Sequence, residues 1–179
     1  MKTKIISIFV MVVGACASGK PAPALPDTRP LPAIFVSVLA DVKAGTSIPV
    51  LLPSELPRPF SDAKHAVVEK VSADHYAVAL YYELDEGNAG FAASFAATNN
   101  AGYSPRELPN IREMKLADGI VGFFRPVSCG GSCAPANLWW ERGAALYQIQ
   151  LKLPSTLPEK KQLGIVTAVA DSAILAGAR

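Results

Sequence analysis

Ala144-Ala145-Leu146-Tyr147-Gln148-Ile149-Gln150-Leu151-Lys152-Leu153 carries the clearest two-residue periodicity in the chain. Tyr147, Ile149, Leu151 and Leu153 alternate with Gln148, Gln150 and Lys152. A period of two puts the apolar set on one face and the polar set on the other, the pattern of a half-buried antiparallel strand. Leu138–Glu141 precedes it as a second apolar run, and Arg142-Gly143 between the two supplies turn chemistry. The pair therefore reads as a hairpin, and a hairpin of this kind needs further strands beside it to bury its apolar face.

Those strands are found upstream. Ile111–Leu116 and Ile120–Val127 form a hairpin about Ala117-Asp118-Gly119, since Asp-Gly readily takes the left-handed backbone of a tight turn. His65–Val71 and His75–Leu84 flank a turn at residues 72–74, and Tyr76, Val78, Leu80 and Tyr82 share one face. Asp85-Glu86-Gly87-Asn88 turns the chain again, and Gly90–Ala97 returns as a strand. Ile48 to Pro59 carries Pro49, Pro53, Pro57 and Pro59, so it predicts a short edge strand at Val50–Leu52 and then an extended crossing over the core. Thr98 to Asn110 is a polar loop, a length that is commonly functional or mobile.

Helices close both ends. Ile34, Phe35, Val38, Leu39 and Val42 make one apolar face of a helix over Ala33–Ala44, with Gly45 as its stop. Thr156-Leu157-Pro158-Glu159 fits a capping box, followed by Leu163, Val166, Ala170, Ala173 and Ile174 on one face. The expected fold class is α+β: a single antiparallel sheet of six or seven strands with the C-terminal helix packed on one face and a shorter N-terminal helix.

Residues 1–15 read as a signal peptide of the lipoprotein type. Lys2 and Lys4 precede an apolar run from Ile5 to Val13, too short to span a bilayer as a helix. Val13-Gly14-Ala15-Cys16 resembles a bacterial lipobox, which would acylate Cys16 and anchor the chain to the membrane. Ala15-Cys16-Ala17 is also a small-x-small cleavage site, and cutting there would release a soluble secreted protein. Ala17-Ser18 lacks the aspartate that retains some lipoproteins at the inner membrane, which favours the periplasmic side of the outer membrane. Residues 16–32 form a Pro-rich tether with five prolines, leaving 33–179 as the domain. The chain has 17 basic and 15 acidic residues, and both excess charges are Lys2 and Lys4. The remainder is neutral, which gives no electrostatic reason to expect nucleic acid.

Three short patterns carry a resemblance. Ile48-Pro49-Val50-Leu51-Leu52-Pro53-Ser54 with Leu56-Pro57, Trp140-Glu141-x-Gly143-x-x-Tyr147, and Ala170-Asp171-Ser172-Ala173-Ile174 resemble a family of uncharacterised bacterial exported proteins. The layout over residues 46–176 is similar to the unknown-function domain of sporulation and anti-sigma-factor-associated lipoproteins. The resemblance implies an exported domain and no activity that can be carried over to particular residues.

Cys129-Gly130-Gly131-Ser132-Cys133 concentrates the chemistry-bearing residues. A disulfide between Cys129 and Cys133 fits the flexible glycine link, and with Cys16 acylated it resolves the odd count of three. Redox exchange normally uses two intervening residues opening a helix, and here there are three followed by a strand. Gly130-Gly131-Ser132-Cys133-Ala134 only grazes the G-x-S-x-G nucleophile pattern, which needs a following helix. His65 and His75 stand ten residues apart around a turn, and antiparallel pairing could place them on neighbouring strands, but two ligands fall short of a zinc site. Asp85-x-Gly87-Asn88 lacks the further oxygen ligands that calcium needs. No catalytic residue, metal or cofactor is assigned.

Trp139 and Trp140 must face opposite sides of a strand. The resemblance, whose pattern includes Trp140, implies that Trp140 is the core residue; Trp139 then points to the other sheet face, grouped with Tyr81 and Phe124 as the candidate binding surface for a sugar, peptide or envelope protein. That face is either open or covered by the Ala33–Ala44 helix. The function expected is an exported, non-enzymatic envelope lipoprotein acting as a binding or interaction module. The alternatives are a soluble secreted enzyme or thiol-redox protein using the Cys129–Cys133 loop, and a structural accessory subunit of an envelope complex.

Overall fold

The computed structural model describes residues 29–99, 101, 102 and 104–179. The export segment 1–15, Cys16 and the tether as far as residue 28 lie outside these residues.

Helix α1 spans Ala33–Gly45 and buries Phe35, Val38 and Val42, the face expected from the sequence. Strands β1 (His65–Ser72), β2 (His75–Tyr81) and β3 (Phe91–Thr98) form a meander. β4 (Arg112–Lys115) and β5 (Val121–Arg125) form the next hairpin. A two-stranded ribbon follows, β6 (Ser128–Cys129) with β7 (Cys133–Ala134). β8 (Ala136–Arg142) and β9 (Ala145–Leu151) complete the sheet, and α2 spans Glu159–Ala176. The main sheet has seven strands in the order β1-β2-β3-β9-β8-β5-β4. Every neighbouring pair is antiparallel. The fold is thus the α+β arrangement anticipated from the strand periodicity. β9, the stretch with the clearest alternation, lies at the centre between β3 and β8, where a strand gains partners on both edges.

Directly opposed residues share a face, so the register reads out the core. Met114, Gly122, Trp140, Tyr147, Ala97 and Tyr76 run across one face in one row. Phe124, Leu138, Ile149, Phe95 and Val78 make the next row. These side chains form the main core with the apolar faces of both helices. Phe35 of α1 meets Phe95 edge-to-face at 5.3 Å, and Trp140 stacks on Tyr147 at 5.5 Å. Both helices therefore cover the same face, α1 over β1 and β2 and α2 over β8 and β9.

The proline-rich segment after α1 crosses this face between the helices, as expected, but it forms no strand at Val50–Leu52. Its backbone is held by side chains and chain ends instead. The Tyr76 hydroxyl accepts from the Leu51 N–H at 3.0 Å, the Tyr147 hydroxyl donates to the Pro49 carbonyl at 2.9 Å, and Arg179 N–H donates to the Val50 carbonyl. Ser172 of α2 hydrogen-bonds to Ser54 Oγ at 3.0 Å and accepts from Glu55 N–H at 2.9 Å. Asp171 accepts from Ala117 N–H at 2.6 Å. The three patterns noted in the sequence thus lock onto one another and onto the hairpin turn, which makes them devices of the fold.

Two further local expectations are corrected. The capping box at Thr156 does not form: Pro158 precedes the helix without a side-chain cap, and Glu159 instead pairs with Arg112 at 2.6 Å. The charged, forked partner displaces the weaker contact back to the Thr156 end. Gly45 does not end α1 through a left-handed turn; it lets the helix approach β1, because a Cβ there would lie 2.4 Å from Val71. The Asp-Gly turn holds, with Asp118 and Gly119 at φ 57° and 72°.

Candidate binding face of the sheet

The face away from the helices is built from two rows. Val67, Ala79, Ser94, Gln150, Asn137 and Arg125 are opposed in one, and Lys70, Ala77, Ala96, Gln148, Trp139 and Phe123 in the other. The two ends differ in bulk. Ala77, Ala79, Ser94 and Ala96 leave the β1–β3 half low, whereas Trp139 and Phe123 raise the β5–β8 half.

The raised half is covered. Trp139, Phe123 and Leu146 form a second hydrophobic cluster with Ala101, Leu108 and Ile111 from the segment after β3. Trp139 is only 2 % exposed. Arg125 lies over its ring at 5.4 Å and Arg106 lies over Phe123 at 5.0 Å, so two guanidinium groups close the aromatic pair from outside. The candidate surface of Trp139, Tyr81 and Phe124 is therefore not one surface. Trp139 faces the expected side but is roofed by this segment, not by α1. Phe124 is fully buried on the helix side, because β5 pairs Phe123 and not Phe124 with Trp139. Of the three, Tyr81 alone reaches open space.

Tyr81 lines a cavity of about 600 Å³ over the low half. Glu69, Phe91, Ser94, Gln150 and Lys152 line it from the sheet, and Ser132, Cys133, Ala134 and Pro135 wall it from the ribbon. Tyr81 meets Phe91 edge-to-face at 5.9 Å. The Tyr81 hydroxyl donates to Glu69 at 2.6 Å. That bond, reinforced by burial and the neighbouring negative charge, pushes the phenol up to about 12. Lys152 donates to the Asn88 and Ala89 carbonyls at 2.8 and 2.7 Å, which ties the turn after β2 to the rim.

An amide network underlies the step between the two halves. Asn137, 1 % exposed, accepts from Gln148 at 2.7 Å and from Gln150 at 2.9 Å. Its own amide donates to the Pro135 carbonyl at 2.8 Å. The polar positions of the alternating strand β9 are thereby joined to the foot of the ribbon. Alternation marked Gln148 and Gln150 as outward-facing, but only the register of β8 shows that they converge on one side chain.

Cys129 and Cys133 are opposed across the ribbon and joined by a disulfide. Both are exposed, and Ser132 stands at the exposed tip with β7 and β8 after it in place of a helix. His65 pairs with Tyr81 and His75 with Ser72, at opposite ends of the β1–β2 hairpin, so antiparallel pairing separates the two imidazoles. Burial, with Lys70 adding to it, lowers the His75 pKa. Among the described residues, no group of three His, Cys, Asp or Glu side chains is placed to hold a metal ion, and no helix is long and apolar enough to cross a membrane.

The fold and the site together define an α+β domain with one sheet face packed by helices and the other presenting a disulfide-walled groove. Compared with known proteins, the chain matches no family model, no curated protein and no solved structure.

Proposed function

We propose that this chain is an exported, non-enzymatic binding module of the bacterial envelope, held at the membrane through a lipid on Cys16, and that its ligand is a saccharide seated in the groove beside Tyr81. The observation that carries the reading is the groove of about 600 Å³ between the low half of the sheet and the disulfide ribbon. That volume lies within the range of about 300–1,000 Å³ usual for small-molecule sites, whereas a partner protein needs about 800 Å² of surface per side. Tyr81 and Phe91 give an aromatic edge for the apolar side of a sugar ring. Glu69, Ser94, Gln150 and Lys152 place an acceptor, a hydroxyl, an amide and a cation around the same space for its hydroxyls. The cysteines are bonded to each other, so the ribbon serves this reading as a wall.

The test has two arms. Titration with glucose and N-acetylglucosamine oligosaccharides, followed by the Tyr81 ring and Gln150 side-chain resonances, is expected to show saturable shifts that Ser94→Tyr abolishes by filling the groove floor. Shifts that persist in the Ser94→Tyr protein, or none in either protein, would overturn the saccharide reading. Intact-mass measurement of the mature protein tests the anchor: an acylated Cys16 is expected, and a chain beginning at Ser18 contradicts it.

A further inference from the structure

A second cavity, of about 430 Å³, lies at the β4–β5 end of the sheet and shares Val127 and Ala134 with the groove. Its charged lining is Arg112, Arg125 and Glu159. Arg112 is already matched: its Nε lies 2.6 Å from one Glu159 oxygen as an ion pair, and its Nη2 donates a hydrogen bond of 2.9 Å to the other. Arg106, nearby over Phe123, has Glu113 at 3.7 Å. Arg125 differs from both. It makes no ion pair among the described residues, and its buried Nε has no hydrogen-bond partner. The face of Trp139 holds its guanidinium in place, and that ring is itself fixed under Leu108 and Ile111.

We propose that this cavity binds a small organic carboxylate, with Arg125 as the anchor. A guanidinium is planar and presents a fork of donors that matches a carboxylate in two parallel hydrogen bonds. Stacking on Trp139 orders the fork before a ligand arrives, so little side-chain freedom is lost on binding. With the Arg112–Glu159 pair neutral, the lining carries one uncompensated positive charge, which suits a monoanion. Pro109, Ile111, Pro126, Val127 and Ala134 give the cavity an apolar wall beside the polar Asn110 and Ser128, which suits an acid with a hydrocarbon body better than a bare inorganic ion. A half-buried cation without a partner is costly to keep, and a carboxylate at this position satisfies it. The site is distinct from the saccharide groove and uses a different anchor, so either can fail without the other.

Benzoate is the probe, with benzamide as its uncharged counterpart and inorganic phosphate as the small anion. The ¹⁵N spectrum of the full chain at low ionic strength reports on Arg125 Nε–H and Trp139 Nε1–H. Benzoate is expected to shift both saturably, with benzamide and phosphate each at least about tenfold weaker, the loss expected when a charge-assisted pair or the apolar contact is removed. Arg125→Met is expected to abolish the shift at Trp139, and Arg125→Lys to weaken it by keeping charge without the fork. Arg58→Met, at an exposed position, should leave it unchanged. Binding of benzamide as tight as that of benzoate, a shift retained in Arg125→Met, or no saturable response of the wild-type protein would each overturn the proposal. The wild-type measurement decides the matter even if a variant fails to fold.

Discussion

Replacing Asn137 by alanine tests the amide network that joins the groove floor to its wall. The side chain makes three hydrogen bonds, to Gln148, Gln150 and the Pro135 carbonyl, at 1 % exposure. Each is worth about 1 kcal/mol net. Gln148 and Gln150 are half-buried and can turn their amides to water, so part of the loss is recovered. The Pro135 carbonyl keeps only what solvent reaches it. The expected cost is about 2–3 kcal/mol, read as a lower urea midpoint with an unchanged slope. For a domain of this size that is a fall in Tm of about 4–12 °C. Asn137→Asp separates the two roles of the side chain: it still accepts from both glutamines, but it cannot donate to Pro135 and it buries a charge, so it is expected to cost at least as much. A change below about 0.5 kcal/mol in Asn137→Ala, the level of an ordinary surface substitution, would refute the idea that this network holds the groove.

Three further predictions concern neighbouring features. Tyr81 is expected to titrate near pH 12 by its ring resonances, and Glu69→Ala should bring it back towards 10; because the folded pKa is raised, the contribution of Tyr81 to stability is complete below pH 10 and fades as the pH climbs to 12. An unchanged titration in Glu69→Ala would contradict the hydrogen bond as its main cause. Replacing both Cys129 and Cys133 by serine should cost about 2 kcal/mol or less, since a ring this short constrains little of the unfolded chain, while amide shifts spread along the groove wall; loss of the fold would show the bond to be a global support. Ser172→Ala removes two hydrogen bonds that hold Ser54 and Glu55 to α2, and a loss of about 1–3 kcal/mol is expected by chemical denaturation.

Much of the fold was legible because the strands advertise themselves. Alternation in Tyr147 to Leu153, and the shared face of Tyr76, Val78 and Leu80, follow from local periodicity, and local periodicity survives into the sheet. What was not legible depended on register. Phe123 and Phe124 are adjacent, and a slip of one residue exchanges their faces; nothing local says that Phe123 opposes Trp139. The covering of Trp139 likewise depends on Ala101 and Leu108 returning over the sheet from a stretch that reads only as polar loop, joined by Ile111 from the start of the next apolar run. Glu159 looked like a cap because its true partner, Arg112, is remote in sequence. The groove itself gathers Glu69, Tyr81, Cys133 and Gln150 from four separate strands, and of these the sequence signalled Tyr81 through its aromatic character and Cys133 through its disulfide.

The open half of the sheet is the proposed seat of the ligand. The most direct test is to measure nuclear Overhauser contacts between the ring protons of a bound N-acetylglucosamine oligosaccharide and the protein. Contacts to the rings of Tyr81 and Phe91, with none to the helix-covered core, are the predicted result. Contacts confined to any other surface, or no contacts because the saccharide does not bind, would contradict it.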